Sequence, residues 1–325
     1  MNPFEYREPS SMEDVVGLLT AYEDAQVMAG GIDLLGEIKE GVASPGLLLG
    51  LAGIPGLTEI SEGPTELVIG GMATITAIEQ HPAIRRLYPA LAEAAERLAT
   101  PQVRNAGTLA GNLCQRPRCW YYRNPLTPCL KRGGDTCYVL EGYSKYMCVT
   151  GGSGCYAVNP SDAAVPLVAY GAGINIAGPA EDRSMPLEEF FTGPEVDITR
   201  ENALERGEVV ESVGLPEPPP GTRSIFLKAQ ERVAGGFALT SVATVVTING
   251  DAIEAASIVL GGVAPTPLRA RESEAYLLGK GVRDVSPEQA AALVLPDAQP
   301  FDDNRYKVTL ARNLVTRSLT RVLQP

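Results

Sequence analysis

All six cysteines of the chain fall between Cys114 and Cys155, and no thiol lies outside that stretch. Any thiolate metal site, cluster or disulfide framework must therefore be built within one segment. Everything before and after it has to fold on apolar packing alone. At 325 residues there is room for two or three domains, each with its own core. A composition of 45% hydrophobic and 20% charged residues is that of a globular chain. The net charge of −12 argues against nucleic acid as a partner, because phosphate recognition needs a basic face. No apolar run approaches the roughly 20 residues that span a bilayer. The opening MNPFEYREPS reads as domain sequence rather than a signal peptide, so a cytoplasmic location is expected, with export beside a signal-bearing partner left open. In a reducing compartment, gathered cysteines point to metal ligation before disulfides.

No internal repeat or low-complexity tract interrupts the chain. The clearest punctuation is the stiff connector Pro216–Gly221 (PEPPPG), which divides a larger part, 1–219, from a smaller one, 220–325. Ser10 and Glu13 form a capping-box signature ahead of Val15, Val16, Leu18 and Leu19. AQVMA reads as a short strand running into Gly30-Gly31, and ELVIGG as another. From Ile75 to about Leu98 the periodicity is helical, with a break expected near Pro89. Beyond the connector, two β-branched runs meet at Asn249-Gly250-Asp251, a hairpin signal. Helical patterns follow in RARESEAYLLG, in SPEQAAALVL and from about Asp303, with polar loop before the last. The fold class is α+β.

Gly30-Gly31 follows an apolar strand directly, and Asn105–Leu113 (NAGTLAGNL) offers a second glycine loop with the Thr108 hydroxyl. Glycine has no Cβ, so successive N–H groups can converge on phosphate oxygens. Taken singly, each loop reads equally well as a tight turn. Neither matches G-x-G-x-x-G or a Walker A loop. His81, the single histidine, sits in EQHPAIRR with no nucleophile motif beside it and reads as structural.

Three stretches together carry a resemblance: FEYREPSSMEDVVGLLTAYEDAQVMAGGIDLL, ATPQVRNAGTLAGNL and VNPSDAAVPLVAYGA. They resemble the flavin-binding subunit of the xanthine dehydrogenase and carbon monoxide dehydrogenase family, and the likeness continues through FLKAQERVAGGFALTSVATVV and RYKVTLARNLVTRSL. The resemblance implies a two-part FAD-binding domain of the PCMH/vanillyl-alcohol-oxidase type, followed by a C-terminal α/β domain with a small antiparallel sheet. It places one FAD loop on Val27, Met28, Ala29, Gly30, Gly31, Ile32, Asp33 and Leu34. The other falls on Gly107, Thr108, Ala110, Gly111 and Asn112, with Asp162 and Lys228 as further contacts. Three positions depart from the family pattern. Ala110 stands where relatives carry glycine, Asn159 where a histidine is common, and Gly235-Gly236 where the pair is more polar.

The cysteine-rich segment, about 114–156, is an insertion relative to most of that family. It resembles the insertion of the 4-hydroxybenzoyl-CoA reductase flavin subunit and of some molybdenum aldehyde oxidoreductases, which carries a [4Fe–4S] cluster. By context (RCWYY, PCLK, DTC, GGSGC) the implied ligands are Cys119, Cys129, Cys137 and Cys155, matching the four thiolates a cluster requires. Cys114 is expected to pack, and Cys148 is a reserve ligand. Zinc and disulfides remain alternatives, although structural zinc favours closer pairs than the nine-, seven- and seventeen-residue gaps here. Trp120 is expected to shield the cluster from water.

The implied function is that of an oxidoreductase subunit passing electrons through FAD and the cluster. Its implied partners are a molybdopterin-binding large subunit and a [2Fe–2S] small subunit, in a dimer of heterotrimers. An external one-electron carrier such as ferredoxin would complete the chain. The rivals are a stand-alone flavin oxidoreductase and a zinc-binding scaffold that has lost FAD.

Overall fold

The computed structural model describes residues 2–232 and 234–324. Three sheets organise them. The first is a small parallel sheet of β1 (Glu5–Arg7), β2 (Ala25–Met28) and β3 (Leu47–Gly50), in the order β1-β3-β2. Its middle strand is a continuous apolar run, buried along its whole length, as expected of a strand covered on both faces. Helix Met12–Ala21 sends Val15 into the same core as Leu47 and Leu49. Its N-cap is Ser11, which accepts the Asp14 N–H at 3.1 Å, so the capping signature lies one residue beyond the Ser10 and Glu13 expected from sequence. Ser10 instead donates to the Asp14 carboxylate.

The second sheet is antiparallel and comprises β4 (Ile60–Glu62), β5 (Glu66–Gly70), β6 (Gly173–Ala177), β7 (Arg183–Pro186) and β8 (Val209–Pro216), ordered β4-β5-β8-β6-β7. Helices Ile75–Gln80, Pro82–Leu87 and Pro89–Arg97 belong to the same core. The helical run is thus broken twice, at His81-Pro82 as well as at Tyr88-Pro89. Each proline occupies the first position of a new helix, where its missing N–H costs nothing. His81 ends one helix and begins the next.

The third sheet contains β9 (Thr222–Ala229), β10 (Thr240–Asn249), β11 (Ala252–Gly261) and β12 (Leu268–Arg269), ordered β12-β11-β10-β9 and antiparallel. Asn249 pairs with Ala252, leaving Gly250 (φ 62°) and Asp251 as a two-residue turn. Helices Arg271–Leu277, Pro287–Ala292 and Tyr306–Val322 share a core with this sheet. The last begins after a short 3₁₀ turn at Asp302–Asn304.

The connector between β8 and β9 separates sequence but not packing. Phe226, Ala243 and Val259 belong to the same buried cluster as Ile69, Leu91 and Leu167. Helix Ala164–Ala169, buried on every side, sits at that junction. Among the described residues no helix is long and apolar enough to cross a membrane.

Candidate functional site

A cavity of about 1030 Å³ opens where the end of β2 faces the segment that follows helix Pro101–Ala106. Both glycine loops line it: Ala29 to Leu34 on one side, and Gly107, Thr108, Ala110, Gly111 and Asn112 on the other. Gly31 has φ 70°, in the left-handed region that glycine enters without strain. A Cβ on Gly30 would overlap the Ala106 carbonyl oxygen, so that glycine is demanded by the opposite loop's backbone, whatever the cavity holds. Thr108 caps helix Leu109–Leu113, its hydroxyl accepting the Gly111 N–H at 3.2 Å. The Ala110 methyl lies against Gly71, whose missing side chain leaves room for it.

The second loop is tied to the Pro-Ser-Asp stretch. Ser161 donates to Asn112 at 2.6 Å, while Asn159 accepts the Ser161 N–H at 2.9 Å. Val27 and Asp162 also line the cavity. Two expected contacts are absent from its wall. The Met28 sulfur packs beside Gly31, and Lys228 is buried, donating to Asp162 at 2.6 Å and to the Arg97 carbonyl at 3.2 Å. Burial pushes the Asp162 carboxyl up, with the Lys228 ammonium opposing.

Asp33 has a further occupation. Its carboxylate accepts the Arg116 N–H at 2.7 Å and pairs with Arg118 at 2.8 Å and Arg123 at 2.7 Å. Glu37 accepts the Tyr122 hydroxyl at 2.8 Å, and Tyr122 in turn accepts Arg116 Nε at 2.8 Å. Burial pushes the Glu37 carboxyl up, opposed chiefly by the Tyr122 hydroxyl. The root of the cysteine segment is therefore clamped to the first glycine loop. Farther along, Lys131 pairs with Glu201 at 2.5 Å and donates to the Ile198 carbonyl at 2.7 Å, and Arg116 also pairs with Glu201. Sequence reasoning followed the thiols of RPRCWYYR and passed over its three arginines, the signal that would have shown this anchor.

All six cysteines are free thiols. Cys129 lies within electrostatic reach of Cys119, Cys137 and Cys155. Cys119 feels Cys129 and Cys155, Cys137 feels Cys129, and Cys155 feels Cys137 and Cys129. Burial dominates and pushes the Cys119 thiol up to about 12. Backbone N–H groups oppose it and favour the thiolate: Tyr122 and Tyr121 beside Cys119, Val139 and Tyr156 beside Cys137, Ala157 beside Cys155. Cys148 is buried, with its thiol pushed up to about 12, and feels Cys155 and Cys137. Cys114 stands apart against the main core, its thiol raised to about 12 by burial alone. Among the described residues no three histidine, cysteine or acidic side chains form a group that could grip one metal ion. Trp120, expected as a shield, is 40% exposed and stacks on Tyr143 at 5.2 Å between ring centroids.

A second cavity of about 340 Å³ shares Arg118, Pro160, Asp162, Gly236 and Phe237 with the first and reaches Cys119 and Trp120. Arg118 stands at the boundary, its guanidinium 5.1 Å over the Phe237 ring and pulled below its ordinary pKa by burial.

Residues 2–218 match the FAD binding domain in molybdopterin dehydrogenase, and residues 225–322 the CO dehydrogenase flavoprotein C-terminal domain. The aldehyde oxidoreductase FAD-binding subunit PaoB of Escherichia coli K12 is 34% identical over 327 residues, covering 99% of this chain and 98% of that protein. The carbon monoxide dehydrogenase medium chain of Hydrogenophaga pseudoflava is 29% identical, over 97% and 96% of the two chains. Among solved structures, a Cu,Mo-CO dehydrogenase in its cyanide-inactivated form superposes with a TM-score of 0.79 at 27% identity, covering 99% of both chains. Quinoline 2-oxidoreductase from Pseudomonas putida 86 gives 0.78 at 25% identity, covering 99% of this chain and 98% of that one.

Proposed function

The chain belongs to the FAD-binding medium subunits of the xanthine dehydrogenase and CO dehydrogenase family, and from that premise we propose that it is the electron-transfer subunit of a molybdenum-dependent oxidoreductase holding a [4Fe–4S] cluster beside its FAD. FAD sits in the large cavity, and Cys119, Cys129, Cys137 and Cys155 hold the cluster. The carrying observation is that Cys129, bridged through its backbone to Thr136 beside Cys137, lies within electrostatic reach of the other three thiols, in a segment clamped by Asp33 and Glu37 to the first glycine loop. The donor set fits. Four thiolates suit an iron–sulfur cluster, and backbone N–H groups beside three of the sulfurs favour the charged form that ligates iron. Cys148 stays the reserve ligand.

When bound, FAD exchanges electrons in pairs or singly and an iron–sulfur cluster exchanges them singly. The chain's own residues set the arrangement. Gly31, Gly107 and Gly111 leave backbone open to a diphosphate, Thr108 stiffens the second loop, and the Asp33–arginine clamp keeps the thiol segment in register with the cavity. Electrons pass between an external one-electron carrier such as ferredoxin and partner subunits bearing [2Fe–2S] and molybdopterin, in a cytoplasmic dimer of heterotrimers. The FAD-binding part spans 1–219 and the C-terminal part 220–325.

The test is a visible spectrum with metal analysis of the purified full chain. Flavin bands over a broad dithionite-bleached absorbance, with about four irons per chain, are expected. Flavin accompanied by zinc would sink the cluster. Turnover of an organic substrate by the chain alone would favour a stand-alone oxidoreductase instead.

A further inference from the structure

The C-terminal helix Tyr306–Val322 carries a lysine near its start that is wholly buried. Lys307 Nζ donates to the carbonyls of Tyr146 at 2.9 Å, Met147 at 2.9 Å and Gly262 at 2.8 Å. Three lysines among the described residues are buried. Lys131 is paired with Glu201 and Lys228 with Asp162, whereas Lys307 meets only neutral carbonyls. Hydrogen bonds to carbonyls offset part of the cost of taking an ammonium out of water; an unpaired charge at such depth calls for an anion nearby.

Two of the three carbonyls belong to the cysteine segment, and the residue after them is Cys148. The Cys148 N–H donates to the Tyr156 carbonyl at 2.8 Å, and its sulfur is within electrostatic reach of Cys155 and Cys137. Asn304, just ahead of the helix, donates to the Met147 and Cys148 carbonyls at 3.1 Å each. Lys307 thus backs the segment at Cys148, the thiol next to Cys155 and Cys137, from the side of the C-terminal helices. Burial pulls its pKa down to about 7, and the one influence opposing this is Cys148.

We propose that Lys307 is the counter-charge of the cluster, through which the C-terminal part of the chain sets the cluster's reduction potential. The proposal rests on the [4Fe–4S] reading above. A cluster on four thiolates is anionic and becomes more so on reduction, so an ammonium whose three N–H groups are all taken by carbonyls, in a poorly polarisable interior, favours the reduced form. Lys131, which acts on Cys155, has its charge offset by Glu201. Lys307 has no such offset.

The experiment is an EPR-monitored redox titration of the full chain, with iron and flavin quantified for every variant. Lys307→Gln removes the charge and keeps a donor, Lys307→Met removes both, and Lys307→Arg keeps the charge. Asn304→Ala loosens the Met147 and Cys148 carbonyls without touching charge. The expected result is a cluster midpoint moved to lower potential in both neutral variants, with Lys307→Arg and Asn304→Ala close to wild type. Loss of iron from both neutral variants while Lys307→Arg retains it also supports the counter-charge. An unchanged midpoint in an iron-replete neutral variant overturns it, as does an equal shift in Asn304→Ala or loss of iron from all three Lys307 variants. Absence of iron from the wild type is a separate result, which removes the cluster reading and this inference together.

Discussion

The flavin cradle and the cysteine segment lie side by side and are built by opposite means. The cradle is made of backbone: Gly30 against the Ala106 carbonyl, Gly31 in its left-handed turn, and the Thr108 cap over Gly111. The cysteine segment has only two short helical turns, Trp120–Arg123 and Leu130–Arg132, among its described residues, and is held by side chains. Asp33, Glu37 and Glu201 grip its arginines and Lys131. Close-packed backbone has one way to fit, so the cradle should keep its shape whether or not a ligand is present. An irregular segment held by ion pairs lacks that support and should depend on what its thiols bind.

The harshest test of this contrast is Gly30→Val. The new side chain meets backbone that cannot step aside, so a cost of about 3 kcal/mol and near-total loss of flavin are expected. Flavin per chain after gel filtration, with a thermal melt, measures both; a stable, flavin-replete variant would break the backbone account. Next is Cys129→Ser, which should strip most of the iron and leave FAD in place, whereas Cys114→Ala should change neither. Joint loss of flavin and iron would mean that the two regions do not hold their shapes separately.

Asp33→Asn acts on the joint itself. Removing the carboxylate leaves Arg118 and Arg123 without a principal partner, at a cost of about 2 kcal/mol. Faster protease cleavage within 114–156 is expected, with cleavage elsewhere unchanged; uniform protection would show the clamp to be dispensable. The mildest change is Thr108→Ala, which removes one helix cap for about 1 kcal/mol. A small drop in melting temperature with modestly weaker flavin retention should follow.

Much of the cradle was legible because its signals are local. An apolar run ending in two glycines marks β2 and its loop, and Asn-Gly-Asp between β-branched runs marks the β10–β11 turn. The break at His81-Pro82 was not, because apolar spacing continues through it while the proline quietly opens a new helix. Ser10 and Ser11 offer nearly the same cap, and sequence cannot see which hydroxyl reaches the N–H. The reason for Gly30 lies in Ala106, and the partners of Asp33 lie beyond the second loop. Both are distant in sequence and become neighbours only on folding. Lys228 shows the same limit, since its link to Asp162 joins β9 to the Pro-Ser-Asp stretch. The grouping of the thiols was plain from the start, but the N–H groups beside three of their sulfurs appear only in three dimensions.

The buried cluster that runs across Pro216–Gly221 has a mechanical consequence. A hinge at that connector would have to pull Phe226 and Val259 away from the packing they share with Leu91 and Leu167. Interiors packed at crystal-like density resist such shear, so the proline run acts as a strap over a closed seam. The glycine loops and the C-terminal helices then ride on a single plate, to which the thiol segment is tied by its ion pairs. Distances across the seam are set by that packing and not by the connector.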